Sequence, residues 1–222
     1  MRRTASLIAL LVLVMTFAAP ATAAAATGDP ILLIHGYRGS ASTWTDMKTF
    51  LESNGRVVEA ITLPSQDNIT NAQAIATFIK AKKWTTVDLV GHSMGGLSAR
   101  QFTKTLASGA GVTVSAYVSL GTPQYGVYSA CLLPTTYGGQ MCPSSSFLKT
   151  LNTGDDTPGA TAWTTIFSTN DGYVTNSSSR LDGGACSDKV SGPSHNDMDN
   201  DATVMAHVLI AIDGGCPGVF VP

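Results

Sequence analysis

The chain has 222 residues, of which 13% are charged against about 25% in typical soluble domains, and 13 basic and 15 acidic side chains leave a formal net charge of −2 at pH 7. No basic run is present to neutralise phosphates, so nucleic acid is excluded as a partner.

Arg2 and Arg3 precede an apolar stretch from Leu7 to Ala19, then Pro20 and the small-residue segment from Ala21 to Ala26. This three-part pattern predicts a signal peptide over residues 1–26, cleaved after Ala23 or Ala26. Its apolar core of roughly 13 residues falls short of the about 20 that a membrane-spanning helix needs, so no stable membrane anchor is expected. Cleavage leaves one mature domain, residues 27–222, exported to an extracellular setting. The paired arginines leave the export route open.

Short apolar runs then alternate with helical patterns. Ile31 to Ile34 and Val57 to Ile61 read as strands, separated by a helix from Ser42 to Ser53. A helix from Asn71 to Lys83, a strand from Val87 to Val90 and a helix from Met94 to Leu106 follow. Val112 to Leu120 and Trp163 to Phe167 are further strands, Lys189 and Val190 a weaker one, and Ala202 to Ile212 a last helix. Near-continuous Val, Ile and Leu mark strands buried on both faces. The expectation is an α/β domain with a mainly parallel sheet of about six strands, flanked by helices on both faces. The acidic stretch Asp197 to Asp201 suits the positive start of that last helix, and its spacing fits no calcium loop.

All four cysteines lie after the leader, and in an oxidising compartment they predict two disulfides. Three pairings are possible. Loop-closure entropy favours Cys131 with Cys142, leaving Cys186 with Cys216. No zinc-type spacing is present, and neither metal nor cofactor is expected.

Gly91-His92-Ser93-Met94-Gly95 joins the strand Val87 to Val90 to the helix beginning at Met94. A serine on so tight a strand-to-helix turn needs strained backbone angles, and strand and helix approach so closely that only small residues fit two positions before and after it. Gly91 and Gly95 meet that demand, which makes Ser93 the candidate nucleophile. Acyl transfer also needs N–H donors for the oxyanion. Met94 offers one, and the loop His35-Gly36-Tyr37-Arg38-Gly39 offers a second through the backbone of Tyr37. The base should lie downstream. His195, in a loop before the last helix, is preferred to His207, which sits among apolar helical neighbours and reads as packed or surface, while His35 and His92 read as structural. Asp171 follows the strand ending at Phe167 and is the preferred acid over Asp155, Asp156 and Asp182.

These segments, together with Leu120-Gly121-Thr122-Pro123, Asn170-Asp171-Gly172-Tyr173-Val174 and Arg180-Leu181-Asp182-Gly183, make the chain similar to the small, lidless secreted lipases of Bacillus and actinobacteria in the α/β-hydrolase superfamily. The resemblance implies an α/β-hydrolase fold without a cap domain and hydrolysis of acylglycerols or simpler carboxylic esters. It also implies a triad of Ser93, Asp171 and His195, with Tyr37 and Met94 as oxyanion donors. The cysteines and the segment from Tyr125 to Pro143 are extra relative to the smallest members. Expected partners are an ester or lipid substrate and a transient lipid interface, with the protein a monomer and interfacial activation weak or absent. A polyester depolymerase, a thioesterase or an acyltransferase would use the same site, whereas a binding module would have no need of the nucleophile and base.

Overall fold

The computed structural model describes residues 28–222, and the signal peptide expected over residues 1–26 lies outside the described residues. Seven strands, β1 (Ile31–Ile34), β2 (Val58–Ile61), β3 (Thr86–His92), β4 (Thr113–Leu120), β5 (Ala162–Ser168), β6 (Cys186–Val190) and β7 (Val219–Phe220), form one sheet in the order β2-β1-β3-β4-β5-β6-β7. The first six run parallel. The helices are α1 (Thr45–Ser53), α2 (Asn68–Lys82), α3 (Met94–Thr105), α4 (Ser146–Leu151), α5 (Asn176–Ser179) and α6 (Ala202–Ile212).

Alternation along β1 shows how the sheet gains two cores. Leu32 and Ile34 pack on one face with Ile75 and Ile79 of α2 and Leu97 and Phe102 of α3. Ile31 and Leu33 point the other way, against Met47 and Leu51 of α1 and Val204 and Val208 of α6. Burial on both faces explains why the apolar runs are continuous. Helix α2 starts three residues before the predicted Asn71 because the Asp67 side chain accepts the Thr70 N–H at 2.8 Å. Asp201 caps α6 in the same way through Thr203 and Val204, so the acidic stretch ends in a capping residue.

The seventh strand exceeds the expected count of about six. β7 is two residues long, antiparallel to β6, and the Cys186–Cys216 bond ties the segment before it to β6. No helix among the described residues is long and apolar enough to cross a membrane.

Parallel strands place their C-terminal ends on one edge of the sheet. The loops after β1, β3, β5 and β6 therefore converge there, the usual binding position in such sheets. The connection from β4 to α4 arches over this edge through two 3-10 turns, Tyr128–Leu132 and Gly139–Met141. Cys131 and Cys142 are bonded across it. Gln140 fastens the arch to α2, accepting from the Asn68 N–H at 2.6 Å and donating to Asp67 at 2.6 Å. No separate cap domain stands over the edge among the described residues.

Candidate active site

Ser93 sits at the junction of β3 and α3 with φ 52° and ψ −126°, a backbone state that costs free energy for a residue with a Cβ. Its surroundings enforce the turn. A Cβ on Gly95 would lie 2.3 Å from the carbonyl oxygens of Ile34 and His35, and one on Gly91 would lie 2.6 Å from the Cα of Gly96. Gly96 itself is pressed against Thr122, with a Cβ position 2.0 Å from Oγ1. The Ser93 N–H donates to the Leu120 carbonyl at 2.9 Å, which anchors the turn to β4.

The side chains of Ser93, His195 and Asp171 form one hydrogen-bonded chain. Ser93 Oγ lies 2.9 Å from His195 Nε2, and His195 Nδ1 lies 2.7 Å from Asp171 Oδ2. Ionised Asp171 can only accept, so Nδ1 carries the proton and Nε2 is left to accept from the serine hydroxyl. Asp171 Oδ1 in turn accepts the N–H groups of Tyr173 and Val174 at 2.9 and 2.6 Å. Burial pushes the Asp171 carboxyl up, but the His195 hydrogen bond and these two N–H donors outweigh it and hold the group below the usual carboxylate range. The three side chains are 5–8% exposed, so bulk water does not compete for their hydrogen bonds.

His92 and His35 set the frame. His92 Nε2 donates to the His195 carbonyl at 2.8 Å, tying the loop of the candidate base to the turn of the candidate nucleophile. Burial and then the nearby His195 lower its pKa to about 4, so it is neutral when His195 gains a proton. His35 Nε2 accepts the Leu63 N–H while Nδ1 donates to the Gly36 carbonyl, both at 2.8 Å. Those two bonds demand the neutral ring and shape the loop that carries Tyr37. The backbone N–H groups of Tyr37 and Met94 have no hydrogen-bond partner among the described residues. For Met94 the reason is general, since the first N–H groups of a helix have no partner within it.

The rival acids are engaged or remote. Asp156 accepts from the fully buried Arg100 and from the Tyr125 hydroxyl, both at 2.6 Å, and Asp155 accepts the Thr157 N–H at 2.9 Å. Asp182 is exposed. His207, half-buried on α6, bonds Asp188 at 2.6 Å, on β6, which β4 and β5 separate from β3.

Ser93 and His195 open into a cleft of about 550 Å³. Val127, Ala130, Leu133 and Met141 of the arch form one wall, and Pro123 and Val174 extend it. Arg38, Thr43, Asn196 and Asp199 lie elsewhere on the lining. The cleft lining includes Tyr37 but not Met94, whose side chain is wholly buried. Sequence reasoning missed Asp199, because an aspartate just before a helix reads as a capping acid until the fold shows which way it faces.

Residues 31–197 match the model of the alpha/beta hydrolase family. Among solved structures, the mature form of the lipase BlEst2 of Bacillus licheniformis is similar at 20% identity and a TM-score of 0.68, the match covering 83% of this chain and 92% of that one. The lin2722 product of Listeria innocua is similar at 17% identity and a TM-score of 0.65, covering 84% and 94%. The type II thioesterase BorB of the borrelidin biosynthetic cluster is similar at 18% identity and a TM-score of 0.60, covering 86% and 94%. At these identities the likeness is one of fold.

Proposed function

Given that this chain belongs to the alpha/beta hydrolase family, we propose that it is a secreted serine ester hydrolase, a lipase or carboxylesterase acting on acylglycerols and simple carboxylic esters. The observation that carries this reading is the hydrogen-bonded run from Ser93 through His195 to Asp171 at the mouth of an apolar cleft. In this mechanism Ser93 Oγ attacks the ester carbonyl while its proton passes to His195 Nε2. Asp171 stabilises the imidazolium without taking the proton. The oxyanion meets the N–H groups of Tyr37 and Met94, which need no reorganisation to receive it. Collapse breaks the bond to the alcohol, which leaves with the proton from Nε2. Water then repeats the sequence on the acyl-enzyme and restores Ser93.

The cleft's surroundings favour lipid esters. No Asp, Glu, Lys or Arg occurs between Lys104 and Lys149, a span that includes the whole arch. Within it Tyr128 is 84% and Leu132 91% exposed, and Tyr173 stands exposed beside the His195 ring at 5.3 Å. An uncharged arch with exposed apolar side chains suits transient contact with a lipid surface. Two disulfides fit an oxidising compartment, in keeping with export.

The test is hydrolysis of p-nitrophenyl esters over a series of acyl lengths by wild type and Ser93→Ala. We expect wild-type turnover, and a loss of at least about a thousandfold in the variant. Activity surviving in Ser93→Ala would sink the proposal, and so would wild-type turnover of thioesters alone.

A further inference from the structure

The cleft lining is chemically mixed. The arch offers mainly aliphatic groups, with Ser129 among them, whereas the loop after β1 and the segment following His195 offer Arg38, Thr43, Asn196 and Asp199. Asp199 plays no part in the hydrogen-bonded run described above. It is 6% exposed and lines the cleft, with the Thr43 side chain nearby, whose hydroxyl donates to the Ser40 carbonyl at 3.0 Å. No Lys, Arg or His forms a salt bridge with it among the described residues. Burial, with Asp197 adding like charge, raises its carboxyl to about 6, which still leaves an anion in neutral solution. A carboxylate has about four acceptor sites, and the backbone N–H of Asp199 itself engages one.

An alkyl chain laid on this wall would strip water from the anion and return nothing. A hydroxyl would return a charge-assisted hydrogen bond. We infer that Asp199 marks a subsite for the alcohol half of the substrate, selecting esters whose alcohol keeps a free hydroxyl, such as monoacylglycerols, over esters of simple alkanols. The acyl chain then lies along Val127, Ala130, Leu133 and Met141. This assignment rests on the ester-hydrolase reading above and makes it more specific.

The same subsite would receive an alcohol when the reaction runs toward transfer. The incoming hydroxyl oxygen attacks the acyl carbon on Ser93, its proton passes to His195 Nε2 and then to Ser93 Oγ, and the bond from Ser93 to the acyl group breaks.

The experiment compares kcat/KM for monooctanoylglycerol and methyl octanoate, both below their solubility limits, at about pH 8, where the carboxylate is ionised. Wild type should prefer the glyceryl ester by about tenfold, mainly through KM. Asp199→Leu should bring the ratio of the two substrates close to one. Asp199→Asn keeps an acceptor oxygen in the same shape and should retain most of the preference. A wild-type ratio near one, or an unchanged ratio in Asp199→Leu, overturns the assignment. If Asp199→Leu does not fold, partitioning of the wild-type acyl-enzyme between glycerol and propan-1-ol decides, with glycerol favoured as the expected result and equal partition as the overturning one. Ser93→Ala distinguishes the two levels. Full activity of that variant on methyl octanoate defeats the ester-hydrolase reading itself, whereas loss of preference with Ser93-dependent turnover intact defeats only the subsite.

Discussion

Asp88 occupies the middle of β3, far from the cleft, with 2% of its surface exposed. The strand tolerates it because the pairing with β4 slips between Val87 and Asp88, and the Ala116 N–H, displaced by that slip, donates to its carboxylate at 3.0 Å. Burial, followed by repulsion from Asp29, raises its pKa to about 7. The folded carboxyl thus holds its proton above the pH at which the unfolded one loses it, so stability falls as pH rises from about 4 to about 7. Asp88→Asn keeps the acceptor for Ala116 and removes this dependence. The variant should gain about 2 to 3 kcal/mol over wild type between pH 5 and pH 8, read from urea unfolding at each pH. Parallel pH profiles for the two proteins would refute the argument.

At the scale of elements, the arch is held by one covalent bond and a few polar contacts. The Cys131–Cys142 bond closes a separation of 11 residues, and loops of that size are worth about 2 to 3 kcal/mol. Replacing both cysteines by serine should lower stability by about that amount. It should also raise KM for long acyl chains more than for short ones, because Ala130, Leu133 and Met141 lose their fixed positions. Equal effects on all chain lengths would show that the arch does not line the acyl path. The elements that were legible in the sequence share a cause: β1, β3, β4 and β5 are buried on both faces, and the first three spell this out largely in Val, Ile and Leu, β5 in Trp163, Ile166 and Phe167. β6 was half legible because Ser187 and Asp188 are buried in it, the latter satisfied by His207 from α6. β7 and α4 left little trace, one being two residues long and the other six. Within the site, Ser93 was readable from its glycines, and Asp171 and His195 from their places after strands. Asp199 was not, since its neighbour Asp201 carries the same side chain and merely caps a helix.

For the whole molecule, the open cleft and the absence of a cap among the described residues bear on behaviour at interfaces. Among the described residues no separate cap has to swing aside before an ester can enter the cleft. The rate on a short-chain triacylglycerol should therefore rise smoothly through its solubility limit, which a concentration series across that limit will show, and an abrupt rise there would contradict the open geometry. Ser93, Asp171 and His195 meet because β3, β5 and β6 run the same way and stop at one edge. Parallel neighbours cannot be joined by a short hairpin, and each pairing waits for a long crossover to close. Assembly of the proposed triad therefore depends on the crossover that delivers β6, because Ser93 and His195 are 102 residues apart along the chain.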